Sequence, residues 1–316
     1  AELARIGILV RQRAYERAGR RLEALGAAAG EVPEVRLFEA VFAYFRGEPT
    51  RAREMLVAAA ARFPQDPRFP ALEAQLALVL EEPEAMRRAF RRALELDPRQ
   101  PFALHAKGMY HQRLEPDPEA AEAAYRAAVA VDPWMVEAWS NLALLYLELG
   151  EYDQAGTAVA GALEADGDDP LALARAGDVA RYRDRTALAA THYAAALAAD
   201  AGHPAALLGK GVLELEAGRT EAAVATFLKA AAANPALSDV QILLGAAYYQ
   251  DGRREAAVEA LAKAGRLDPD NPIPDLMRSV IAQDRAQAGA AVRAARAALG
   301  KARRYGTYAV DTFAST

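Results

Sequence analysis

The chain has no cysteine among its 316 residues, so disulfides and thiolate metal sites are excluded at the outset. That absence suits a reducing cytosol and an oxidising periplasm alike, which leaves the compartment open, with the periplasm preferred. Histidine is scarce too. His105, His111, His192 and His203 are the four, and the nearest pair is six residues apart, not the three or four that set two ligands on one helical face. No apolar run reaches the roughly 18 to 20 residues of a membrane-spanning helix. Positive charge is not in excess either: a net charge of -5 argues against a nucleic-acid surface. The nearest approach to a phosphate loop, Gly202 to Lys210, is too long between its first two glycines and continues with Gly211 where Ser or Thr is needed. It reads as a turn followed by a helix packing face. Acid pairs such as Glu81 with Glu82, or Asp168 with Asp169, fall in predicted turns and read as caps. These gaps predict a protein that is not an enzyme and holds no cofactor and no metal.

What is present is order of another kind. Hydrophobic residues make up 53% of the chain while mean hydropathy stays at -0.08, because much of the apolar fraction is alanine, the best helix former and the smallest knob. Prolines mark a period. Pro64, Pro98, Pro133, Pro235 and Pro269 close successive segments, and the gaps from 64 to 98, 98 to 133 and 235 to 269 are 34, 35 and 34 residues. A period near 34 holding two helix-length segments describes a helical solenoid whose repeats bury apolar faces against their neighbours. A proline just past a helix cannot continue it, and one in the next helix's first turn costs no hydrogen bond.

Inside the period the same residue types return in register. The repeat at 136 to 169 carries Trp139, Leu142, Ala143 and Tyr146, then Gly150 and Tyr152, then Ala155, Val159 and Ala162. The following repeats carry Leu173, Gly177, Ala189 and Tyr193; Leu207, Gly211, Ala223 and Phe227; and Leu244, Gly245, Ala257 and Leu261. Small residues at Gly108, Gly177, Gly211 and Gly245 let two antiparallel helices approach, and Tyr125, Tyr193, Phe227 and Leu261 fill the space beside them. This pattern resembles the tetratricopeptide repeat (TPR). The resemblance implies an all-α, right-handed superhelical solenoid of stacked antiparallel helix pairs, with about eight repeats over residues 33–305. A further degenerate repeat is expected in residues 1–32, from Leu3, Ile6, Gly7, Val10, Ala18 and Leu22. In the repeat at 67 to 100, Pro70 predicts a displaced or shortened first helix, and an extra residue near Pro116 and Pro118 predicts a longer inner turn.

In such a solenoid the first helix of each repeat lines the concave surface, and function is expected there. The TPR register puts an unusually apolar set on it, including Leu37, Val41, Tyr44, Phe45, Leu78, Val79, Leu147, Leu215 and Ile242. Phe102, His105, Met109, Arg113, Asn141, Leu144, Arg175, Asp178, Arg181, Tyr182 and Tyr249 are the candidate partner-binding residues. The chaperone-docking type would carry Lys and Asn at several inner positions; Asn141 alone matches, and that reading is disfavoured. A helix or extended protein segment, anchored by aromatics and steered by arginines, fits better. Some of the inner leucines, Leu78, Leu147 and Leu215 among them, could equally pack between successive first helices.

Two function classes remain. The first is a non-catalytic scaffold binding a protein or peptide. The alternative is a periplasmic module of an outer-membrane β-barrel export or receptor protein, suggested by the Ala1 start, which reads as a processed segment, and by the missing cysteine and the tail. Arg285, Arg293, Arg296, Lys301, Arg303 and Arg304 form a basic stretch without an acid, read first as a solvated helix face. The tail 306–316, with Tyr308 and Phe313, lacks helical periodicity and is expected to dock on the solenoid or to begin a following, β-rich domain. Hydrogen exchange with the downstream sequence present checks it: complete lack of protection across 306–316 would rule out both.

Overall fold

The computed structural model describes residues 5–6, 15–25, 32–269 and 271–283. Among these there is no strand, and sixteen helices follow one another. In chain order they are α1 Tyr15–Leu25, α2 Pro33–Phe45, α3 Pro49–Arg62, α4 Arg68–Val79, α5 Pro83–Leu96, α6 Pro101–Arg113 and α7 Pro118–Val131. Then come α8 Val136–Glu148, α9 Tyr152–Ala165, α10 Pro170–Tyr182, α11 Thr186–Ala199, α12 Pro204–Glu216, α13 Thr220–Ala233, α14 Ser238–Gln250, α15 Arg254–Leu267 and α16 Ile273–Gln283. The chain divides into two compact bodies, Ala1–Pro133 and Trp134–Thr316. In each body the first helices pack on the second helix of their own repeat, and α4 and α10 pack also on the next first helix, α6 and α12 respectively. The fold is the TPR helix-pair arrangement expected from the period. No helix among the described residues is long and apolar enough to cross a membrane.

Local chemistry sets the helix ends. Seven helices begin with proline at a position whose N–H would have no partner inside the helix. Asp117 and Asp169 cap α7 and α10, accepting from Ala120 N at 3.0 Å and from Leu171 N at 2.8 Å. Each first helix from α2 to α14 except α6 ends in the same left-handed turn. After α2, Gly47 has φ +81°, its N–H donates to Tyr44 O and that of Glu48 donates to Ala43 O at 3.0 Å. The longer of these two bonds recurs from Glu82 to Ala77, Glu151 to Tyr146, Arg185 to Ala180, Arg219 to Glu214 and Arg253 to Tyr248. The exception is the predicted insertion: Leu114 to Asp117 form a four-residue turn, in which Asp117 N–H reaches back to His111 O at 2.8 Å. Pro70 is the third residue of α4, in the first turn where its missing N–H breaks no helical bond. The helix is 12 residues long where α2, α6, α8, α10, α12 and α14 are 13, a difference too small to mark the displaced or shortened helix expected there.

Between the helices of a pair lies the knob. Tyr125, Tyr193, Phe227 and Leu261 are fully buried. A methyl group placed on Gly177 would come within 2.4 Å of the Tyr193 ring, and one on Gly209, in the next first helix, within 2.2 Å. The ring therefore fills a slot that glycine opens on both sides. Gly108 with Tyr125 and Gly211 with Phe227 repeat the contact, also at 2.4 Å. In the repeats with alanine at that place, Ala40, Ala74 and Ala143, the second helix brings Leu56, Phe90 and Val159. At the start of the chain Ile6, Ala18 and Leu22 are buried and cluster with Val35 and Phe42. Leu3, Gly7 and Val10 lie outside the described residues. So do the second helix expected within 272 to 304, the basic stretch from Arg285 and the tail.

The slot predicts non-additive energetics. Tyr193→Ala should cost about 3 to 5 kcal/mol, and Gly177→Ala about 1 to 3 kcal/mol through overpacking. Once the ring is gone the added methyl has room, so Gly177→Ala in the Tyr193→Ala background should cost much less than alone. Denaturant titration of the four proteins measures it, and strict additivity would show that the ring and the glycine are not in contact.

Candidate functional site

The inner register positions behave differently in the two bodies. In the C-terminal body most of the apolar ones are sealed: Leu144, Leu147, Leu208, Val212, Leu215, Ile242 and Ala246 are buried, and Tyr249, Leu276 and Val280 are half-buried. Successive first helices α8, α10 and α12 pack directly on one another, which closes the floor between them. Leu147 and Leu215 are therefore packing residues, one of the two roles open to them from sequence. In the N-terminal body the same register is more open, although His105 and Met109 on α6 are buried. Tyr44, Phe45, Val79 and Phe102 are exposed, and Leu37, Val41 and Leu78 are half-buried.

The eleven candidate residues divide accordingly. Phe102 and Arg113, on α6, are exposed, while His105 and Met109 on the same helix are buried. Asn141, Tyr182 and Tyr249 are half-buried, and Leu144, Arg175, Asp178 and Arg181 are buried. Sequence periodicity identified the face but not its accessibility. Tyr44, Phe45 and Val79 stand in the inner register outside the candidate set. Their signal was bulk at the last turn of a first helix.

On α10 the structure assembles a buried ionic group. Arg175 Nη1 donates to Asp178 Oδ2 at 2.8 Å, and the Tyr193 hydroxyl donates to Asp178 Oδ1 at 2.8 Å. Arg181 Nη1 reaches Glu216 Oε1 on α12 at 3.3 Å, and its guanidinium carbon lies 4.3 Å from the Tyr182 ring centroid. Tyr182 in turn stacks on Tyr152 at 5.6 Å. Burial opposes the charge on Arg181, but Tyr182, Tyr193, Asp178 and Glu216 outweigh it and hold the guanidinium above the usual arginine range. The arginines and Tyr182 thus have partners inside the chain. Among the described residues no three His, Asp or Glu side chains converge as a metal site.

His105 packs against Tyr125, with ring centroids 5.8 Å apart. Burial pushes its pKa down to about 4, and the nearby charge of Arg113 adds to the effect. The folded state then holds a neutral imidazole while the unfolded chain takes up a proton near pH 6.5. Stability from this site is complete above that pH and is lost as pH falls toward 4, by on the order of 3 kcal/mol. The difference in unfolding free energy between wild type and His105→Leu should shift in favour of the variant by that order between pH 7 and pH 4. A difference that stays constant with pH would mean that His105 is not held neutral.

Comparison with known proteins adds the family. Models described as tetratricopeptide repeat match residues 114–176 and 214–273, and a second such model matches 174–238. Together they run over slightly more than half of the chain. No curated protein matches it in sequence. Among solved structures, a tetratricopeptide repeat protein from Parabacteroides merdae is 16% identical with a TM-score of 0.60, the match covering 79% of this chain and 99% of that one. A chain of the APC/C hetero-tetramer Cut9–Hcn1 is 15% identical with a TM-score of 0.59; the match covers 84% of this chain, which spans 58% of that longer one. PilW, a type IV pilus biogenesis factor, is 19% identical with a TM-score of 0.52, over 67% of this chain and 97% of its own. At these identities the likeness is one of fold.

Proposed function

Since the chain belongs to the tetratricopeptide-repeat family, whose members are generally non-catalytic scaffolds for protein–protein interaction, we propose that it binds a segment of another protein along the inner face of its first helices, without catalysis of its own. One observation carries this reading. Among the described residues, six large apolar side chains of the N-terminal body are exposed, and four of them, Tyr44, Phe45, Val79 and Phe102, stand at inner register positions. Six are exposed among the described residues of the C-terminal body, and none of these does. Scattered exposed apolar residues need no explanation, but a set confined to one face marks an interaction surface. Phe102 and Arg113 belong to this accessible face. In the C-terminal body Asn141, Tyr182 and Tyr249 are the candidate contacts that reach solvent in part.

A position-resolved crosslinking experiment tests the proposal. A photoreactive amino acid placed at Phe45 or Phe102 should capture a discrete protein in the native host, and one placed at the outward-facing Val57 or Leu228 should not. Equal capture from Val57, or none from either inner position, would overturn the reading.

A further inference from the structure

Resting on that reading of the inner face, we infer that the occupant of the N-terminal body is an amphipathic helix whose bound face is apolar toward α2 and α4 and acidic toward α6. The last two residues of these three first helices form successive rungs: Tyr44 and Phe45, Leu78 and Val79, Gln112 and Arg113. The outer member of each rung is solvent-exposed. The first two rungs are wholly apolar. In the third, Gln112 is held back by accepting the Tyr125 hydroxyl at 2.7 Å, and Arg113 is left as the forward group. Among the described residues no carboxylate pairs with Arg113. The chain thus offers two apolar steps and then a cation, and a bound carboxylate would meet that cation in a charge-assisted contact.

Helical geometry fits the steps. First helices α4 and α6 pack on one another; packed helices lie about 8 to 10 Å apart, and residues about seven apart on a helix share one face and are separated by about 10 Å along its axis. A guest helix lying across α4 and α6 therefore meets Val79 and Arg113 two turns apart. It needs a large apolar residue for Val79, Asp or Glu about seven residues to one side of it, and a further apolar residue to the other side for Phe45. An extended segment advances more than twice as far per residue and would need a different spacing.

The test uses the full chain and two synthetic, fluorescently labelled amphipathic peptides with leucines at the first two steps, differing only in Glu or Lys at the third. The Glu peptide should bind at least about tenfold more tightly, and Arg113→Glu should invert the preference. Equal binding of both peptides, weakened alike by Phe45→Ser, would overturn the assigned polarity while leaving the docking surface intact. A Glu peptide that binds no more weakly when proline interrupts it would overturn the helical form. Absence of binding by either peptide, or binding untouched by both Phe45→Ser and Val79→Ser, would remove the surface itself and this inference with it. Far-UV circular dichroism and the outward variant Val57→Ser separate lost contact from lost fold.

Discussion

The contact between a small residue on one helix and a large one on its partner is the constraint on which the rest of this structure depends. The second helices are largely alanine, and alanine buries little area, so a repeat gains most of its hydrophobic stabilisation from one knob and from its neighbours. Tyr193 illustrates the arrangement: it closes its own repeat against Gly177 and the next one against Gly209. The period follows from this. A knob works only if each second helix returns at the same offset, which the left-handed turn after α2, α4, α8, α10, α12 and α14 enforces.

The knob's chemistry also sets what its surroundings must contain. A buried tyrosine hydroxyl requires an acceptor. Tyr125 finds Gln112 and Tyr193 finds Asp178, each on the first helix of the same repeat. Phe227 has no hydroxyl, and the corresponding places hold Val212 and Leu215. Asp178 in turn brings Arg175 with it. The ionic group on α10 is thus explained from inside the fold as the accompaniment of a tyrosine knob, and a buried ion pair is weak evidence for added stability. Its loss by truncation of one member would be costly all the same, because the remaining charge would be stranded.

The fold was legible because the signals that define it are local and repeated. Pro98 and Pro133, Gly177 with Tyr193, and Gly211 with Phe227 announce helix ends and packing slots within a single period. Accessibility is not local. Whether Leu147 or Phe45 faces solvent depends on what the next first helix presents a full period away and how closely it packs. The inner register was therefore readable as a face, while the split between a sealed C-terminal floor and open N-terminal rungs was not. Arg175 and Arg181 show the same limit from the other side. Their charge in an apolar stripe reads as a ligand contact, but their partners, Asp178 and Glu216, are recognisable only once the helices are placed.

Comparison of one register position across the repeats separates folding from function. The last residue of the first helix is Glu148 in α8, Glu216 in α12 and Gln250 in α14, all exposed. A repeat of this chain therefore packs well with a polar group there. At the same place α2 carries Phe45 and α4 carries Val79, both about half exposed at 47% and 52%. The same place in α10 holds Tyr182, half-buried and stacked on Tyr152, so the position takes polar and aromatic groups alike, and an exposed aromatic promotes association with other apolar surfaces. Because each repeat contacts only its neighbours, such a substitution can alter the surface of one repeat without disturbing distant ones. The rungs of the N-terminal body can thus differ from the corresponding places of the C-terminal body within one repeating scaffold.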